Sequence, residues 1–388
     1  MTRITGTAIA ALLTTTSLAT AGGVERQAQS PAILFEDGNY VEFSYTFTNP
    51  DVSGTQLVTA TATSLAGSDS GDVAPSFSYT SLSYVHALSD DVSVALIVDS
   101  PIGADVDYAP NGGSGYLYGS GAGSQAEIRS RAITAAVRYS LNDNISIYGG
   151  LRAVEAEGSV ALFNGSGGLG TTSRYQMDAE SDYELGYMLG AAYERTDIAL
   201  RVALTYYSAT EHTFDAVETD NTGTFNTEFE TTIPQQVLLE AQSGVAEGTL
   251  VFGSIRWTEW TEFDITPTIY ADNISGGSAL VDYDDDVWTY TLGGARRITD
   301  ELALLGSITY EASQGGFAGN LGPTDGRTSI GLGARYETGP WRLTGGVNYT
   351  FVGDATTEAP NPFPDGTSFG DFEDNDAVSF GLRVGYSF

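Results

Sequence analysis

A two-residue alternation of side-chain character runs along this chain to its last residue, and few folds can satisfy it. In "AVSFGLRVGYSF", Val378, Phe380, Leu382, Val384, Tyr386 and Phe388 are apolar, while Ser379, Gly381, Arg383, Gly385 and Ser387 are small or polar. The same period appears in "YVEFSYTF", where Val41, Phe43, Tyr45 and Phe47 oppose Glu42, Ser44 and Thr46, and again in "TSIGLGARYE" and "PWRLTGGVNYTFVG". Successive side chains of a strand point to opposite faces, so the pattern marks strands with one apolar and one polar side.

A soluble sandwich would alternate as well, and the spacing of the breaks separates the two cases. Short polar breaks fall at 88–91, 141–144, 194–197, 243–248, 298–301 and 337–340. Long Gly/Asp/Asn/Thr-rich stretches lie near 49–74, 100–126, 157–180, 209–232, 261–284, 311–326 and 353–375. Six short turns alternating with seven long loops predict fourteen strands with both chain ends on the short-turn side. Short periplasmic turns, long outer loops and alternating segments describe a transmembrane antiparallel β-barrel of the bacterial outer membrane. Barrel closure leaves no sheet edge for lipid to leave unsatisfied, which explains a last strand that is patterned to its end.

Composition narrows the partners. With 16 basic against 50 acidic residues, the formal charge is −34, and no lysine or cysteine occurs. Such a field excludes nucleic acid, which needs Lys/Arg patches, and the absence of cysteine excludes disulfides and thiolate metal sites. Nothing in the pattern calls for a cofactor. The acid runs "DYDDD" (282–286) and "PDGTSFGDFEDND" (364–376) lack EF-hand spacing, so they are read as solvated loops that divalent ions could bridge to lipopolysaccharide, rather than as metal sites. Residues 1–21, "MTRITGTAIAALLTTTSLATA", carry a basic start, an apolar core and an A-x-A-like end, the pattern of an export signal. Residues 22–38 then precede a barrel spanning 39–388.

With apolar residues toward lipid, Arg138, Arg152, Arg201, Arg256, Arg335, Arg342 and Arg383 face the lumen. Arg138, Arg201, Arg335, Arg342 and Arg383 lie near short turns or the chain end, predicting an arginine cluster in the periplasmic half. They either pair with lumen acids such as Glu42, or hold the N-terminal segment (Glu25, Glu36, Asp37) or a passing carboxylate. Tyr40, Trp257, Trp288, Trp341 and Tyr386 are candidates for aromatic girdles or for ordinary cross-strand packing.

Several segments, taken in order, resemble the FadL/TodX family of outer-membrane transporters of long-chain fatty acids and other hydrophobic compounds. Ser30-Pro31-Ala32 stands where that family has N-P-A, and Asn49-Pro50-Asp51-Val52-Ser53-Gly54 is similar to its first loop. Ile233-Pro234 and Trp257-Thr258-Glu259-Trp260-Thr261-Glu262-Phe263 resemble its L-P and W-T-x-W-S-x-F stretches. "YDDDVWTYTLGGARRITDELALLGSITYEAS" and "GPTDGRTSIGLGARY" are similar to its tenth-to-twelfth strand region.

The resemblance implies a monomeric barrel with an N-terminal plug, capture of hydrophobic molecules among the outer loops, and a lateral route at a kink in the third strand. Independently of that family, Phe388 resembles the C-terminal aromatic signal of bacterial outer-membrane proteins, which the assembly machinery reads. In "VSVALIVDSPIGADVDY", Pro101 cannot donate a ladder bond and Gly103 permits a bend, which suits either a wall opening or simply the strand's outer end. Pro101, Gly103, Arg152, Phe163, Phe214 and Trp260 are the substrate-contact candidates. Tyr175, Phe225, Phe229, Phe317, Phe363, Phe369 and Phe372 are further apolar side chains assigned to long loops. Two departures stand out: the segment before the first strand is short, and "FNGSGGLGTTSRYQ" replaces a helical insertion.

A general diffusion porin for polar solutes is the alternative, disfavoured because porins have wider barrels of 16–18 strands. Enzyme chemistry would rest on two histidines, His86 at a strand end and His212 in the loop sequence "TEHTFDA".

Overall fold

The computed structural model describes residues 24–60, 64–108, 116, 124–162, 175–359 and 363–388. The expected export signal and Phe163 lie outside them. Among the described residues the chain forms one closed antiparallel barrel of fourteen strands. The strands are β1 (Tyr40–Asp51), β2 (Phe77–Ala87), β3 (Val92–Asp99, resumed at Gly103–Asp107), β4 (Gln125–Ser140) and β5 (Ile145–Leu162). They continue as β6 (Tyr175–Arg195), β7 (Leu200–Tyr207, resumed at Thr210–Thr219), β8 (Thr224–Ile233, resumed at Gln236–Ala246) and β9 (Thr249–Thr258). The circuit ends with β10 (Val287–Arg297), β11 (Leu302–Glu311), β12 (Arg327–Thr338), β13 (Trp341–Val352) and β14 (Asp376–Ser387). β14 closes on β1 in unbroken register from Tyr40↔Ser387 to Asp51↔Asp376, and the Phe388 amide donates to Asn39 O at 3.0 Å.

The alternation sorts as expected in the membrane belt. Phe43, Tyr45, Leu151, Leu185, Leu292 and Leu332 are exposed on the outside, while Arg335, Thr344, Thr350 and Ser379 are buried within. Trp288 and Trp341 lie on the outside, Trp341 packing against Tyr386 with ring centroids 4.7 Å apart. Tyr40 does not belong to that girdle. It shares parity with Glu42 and points into the lumen, 1% exposed, with its hydroxyl donating to Glu42 Oε2 at 2.9 Å. Gly385 makes room for it: a Cβ there would stand 1.8 Å from the Tyr40 hydroxyl oxygen.

One expected loop is largely strand. Residues 210–219 and 224–233 form a continuous hairpin, paired from Thr210↔Ile233 to Thr219↔Thr224. Its inward residues His212, Phe214, Ala216 and Glu218 are buried, while Glu211, Thr213 and Asp215 face out. Its polar outer face gives it the composition of a loop, because here the wall stands in water rather than lipid. Strands β5 and β6 likewise run further outward than expected, to Leu162 and from Tyr175. A bulge opposite Glu157 places two residues of β6, Glu180 and Ser181, against one. This switches the parity of β6, so that Tyr175 and Met177 above it and Gly186 and Met188 below it all face inward.

Candidate functional site

The interior has three tiers, and the residues before β1 reach all of them. In the periplasmic tier the turn Ala32–Phe35 is wholly buried against inward side chains of β1 to β7, among them Tyr148, Met188 and Tyr207. Phe35 lies between two guanidinium groups, with Arg201 4.5 Å and Arg138 4.8 Å from its ring centroid. Arg138 is ion-paired with Glu194, and its Nη1 also donates to Leu34 O at 3.4 Å. Arg342 donates to Glu36 at 2.9 Å and to Glu337 at 3.3 Å, and Arg335 also pairs with Glu337. Arg383 pairs with Glu42 at 3.1 Å. Ser30 donates to Glu240 of β8 at 2.8 Å and its hydroxyl accepts from the Ala32 amide, with Pro31 between them. The five periplasmic arginines therefore gather around one segment, and both lumen acids and acids of that segment are their partners.

Higher up, Glu25 pairs with Arg256 of β9. Arg152 is buried, its guanidinium carbon 5.1 Å from the Tyr207 ring centroid. Above this level the inward face turns apolar. Val154, Val160, Leu162, Tyr175, Met177, Phe214, Phe229, Trp260 and Phe263 form one buried cluster. Phe214 packs on Phe229 at 5.4 Å, and Trp260 packs edge-on against Phe263 and Tyr283, each at 5.4 Å. The roof of the cluster is the loop 259–286, held on the β7–β8 hairpin through Glu218. That buried carboxylate accepts from Tyr175 at 2.8 Å, Thr227 at 2.6 Å and the Ile269 and Tyr270 amides at 2.9 and 3.1 Å. In the same loop burial raises the pKa of Tyr283, and burial raises that of Asp282, with Asp284 and Asp264 adding like charge.

The aromatic residues expected in loops divide between two places. Tyr175, Phe214 and Phe229 belong to the strands lining the upper lumen. Phe369 and Phe372, both fully buried, join Val52, Val73, Tyr108 and Tyr116 in a loop cap built on a small four-stranded sheet. Phe363 packs against that cap, whereas Phe317 is exposed. His212 is not a solvated loop residue. It is buried on β7 with Nδ1 3.0 Å from Asp182 and Nε2 3.1 Å from Thr210.

The third tier is a fault in the wall. β2 pairs with β3 only from Leu82↔Val98 to Ala87↔Ser93, so Phe77 to Ser81 has a ladder with β1 alone. The fault begins at Ser100-Pro101-Ile102, where β3 turns away from β2 while keeping its pairing to β4. The freed backbone groups find other partners. Ile102 N donates to Ser130 Oγ at 2.9 Å, Gly103 N to Val24 O at 2.8 Å, and Pro101 O accepts from Arg26 N at 2.9 Å. Residues 24–27 thus take up the edge that β2 leaves. Glu25, Arg26, Asp105 and Glu218 carry much of this geometry. Glu25 is the acid expected to be held by a lumen arginine, whereas Arg26, Asp105 and Glu218 are not among the residues expected from sequence, although Arg26 is the one cation between residues 22 and 38.

A closed barrel with apolar side chains outside and charge-paired polar ones within the membrane belt is an outer-membrane protein. The profile of the outer membrane protein transport protein family (OMPP1/FadL/TodX) matches residues 4–388, so the chain belongs to that family. A Pseudomonas aeruginosa FadL homologue superposes with a TM-score of 0.72 at 18% identity, over 92% of each chain. The Pseudomonas putida toluene transporter TodX gives 0.61 at 14%, over 97% of this chain and 99% of its own. The Ralstonia pickettii toluene transporter TbuX gives 0.59 at 12%, over 95% and 97%. At these identities the likeness is one of fold. No curated protein matches the chain. The family consists of channels for hydrophobic compounds rather than enzymes, and the chain is an outer-membrane transport protein of that kind.

Proposed function

We propose that this channel passively carries long-chain fatty acids or similar amphiphiles, taking them in among the outer loops and releasing them sideways through the fault between β2 and β3. The observation that carries this reading is the coincidence of an apolar inner cluster with a nearby stretch of wall lacking a ladder. The cluster offers an apolar surface against which a solute leaving the lipopolysaccharide leaflet could shed water. Ile102 and Ala104, which belong to the cluster, sit on β3 at and just beyond the break. Residues 22–38 act as the plug, a reading supported by the contacts of residues 24–36 with β3, β4, β8, β9 and β13 on several sides of the lumen. Phe388 serves as the assembly signal, and the protein works as a monomer in the lipopolysaccharide-bearing membrane.

Gly103 tests the route. A Cβ there would stand 2.7 Å from Arg26 Nε and 3.1 Å from Ile128 O, crowding the fault. Gly103→Val is expected to slow uptake of labelled oleate at least several-fold with the amount of assembled barrel unchanged. Unaltered uptake would remove the lateral route.

A further inference from the structure

The fault in the wall is spanned by one side chain. Arg26 lies with its guanidinium carbon 3.8 Å from the Phe77 ring centroid of β2, while its Nη2 donates to Asp105 Oδ2 of β3 at 2.6 Å. It therefore bridges two strands that have no backbone bond to each other at that level. Arg26 is 6% exposed, and its Nη1 is buried without a hydrogen-bond partner. The small cavity beside it, about 20 Å³, is walled mainly by Pro50, Val52, Val73, Pro75, Phe77 and Val106. A cation set among apolar groups with a donor unused is poorly solvated, and a second carboxylate would satisfy it.

The partner it has is easily released. The Asp105 side chain is 29% exposed, against 7% for Arg26. Asp105 also lines a wider cleft of about 380 Å³ on the far side, together with Asp107, Gln125 and Glu127. An incoming carboxylate can thus take the guanidinium while Asp105 turns into water, and the buried cation is never left unpaired. An uncharged hydrocarbon has no means of making that exchange. In a chain of charge −34, an anion gains little from the overall field, so a local cation must do the recognising.

We infer that Arg26 is the specificity-determining residue of the lateral route, admitting molecules with an apolar tail and a carboxylate head by exchange with Asp105. The inference rests on the lateral release proposed above. Its test compares dodecanoate with methyl dodecanoate, which share the tail and differ in charge. Arg26→Met should lower dodecanoate uptake about tenfold while leaving the ester within twofold, and Arg26→Lys should restore part of the difference. Asp105→Asn removes the competing carboxylate, so dodecanoate binding to purified protein in nanodiscs should tighten several-fold by titration calorimetry. A merely structural ion pair predicts the opposite: weaker or unchanged binding with a lower melting temperature. Equal effects on acid and ester, or no gain in Asp105→Asn, overturn the assignment while leaving the route intact. If Gly103→Val leaves uptake of both compounds unchanged, the route itself fails, and the assignment with it.

Discussion

The membrane belt and the outward extension of the same strands are built on opposite rules. In the lower half of β5, Ile147 and Leu151 are exposed on the outside, and Ser146, Tyr148 and Arg152 are buried within. In its upper half, Val154, Ala156, Val160 and Leu162 are buried within, and Glu157 is exposed outside. Strand β7 changes in the same way, from Leu204 outside and Arg201 inside to Asp215 outside and Phe214 inside. The outside medium sets the rule. Against lipid an apolar exterior carries no penalty, so polar and charged residues occupy the lumen and pair there. Once the wall emerges into water the hydrophobic effect collects apolar side chains inside. The larger apolar cluster of the interior accordingly lies in the upper half, while the one in the lower half is built around the Ala32–Phe35 turn.

Substitutions that disregard the boundary should show its strength. Trp260→Ala empties the largest fully buried side chain of the upper cluster and should cost about 3–5 kcal/mol locally. It should also weaken fatty-acid binding, as read by hydrogen exchange in 259–286 and by ligand titration. Leu189→Arg, opposite Gly149 midway along the lower half, sets a charge against lipid and should cost roughly 2–4 kcal/mol in a folding titration into bilayers. The matched change Glu157→Arg, on the outer face of the upper wall, should stay within about 0.5 kcal/mol. Equal losses for those two would abolish the distinction between the halves. Between these extremes, Glu218→Ala leaves the Ile269 and Tyr270 amides without their acceptor, and a loss of about 1–3 kcal/mol is expected. Its signature is faster proteolysis of the 259–286 loop with the barrel intact; unchanged cleavage would show that Glu218 does not hold the roof.

Much of the lower half was legible from sequence because each strand faces two fixed media and alternation records both. Phe43 against Ser44, or Leu332 against Arg335, can be sorted without knowing any neighbour. The same logic placed Arg138, Arg201, Arg335, Arg342 and Arg383 inside, near the short turns. It fails for "TEHTFDAVET", whose alternation is regular but whose outer face is polar, so that the composition is that of a loop. It also passed over the bulge in β6, since one extra residue inverts parity without any compositional mark. The site was less legible still. Phe214 and Trp260 were expected and are brought into one cluster, but Phe263 and Tyr283 complete it through a loop fold that no local pattern encodes.

Strand number, the sorting of loops and the lumen-facing cations of the membrane belt followed from the order of residues alone, because period and medium fix them locally. The joining of Arg26 to Phe77 and Asp105, 51 and 79 residues further on, was decided only in three dimensions. There a proline that cannot donate parts β3 from β2, and the preceding segment must supply the missing backbone partners.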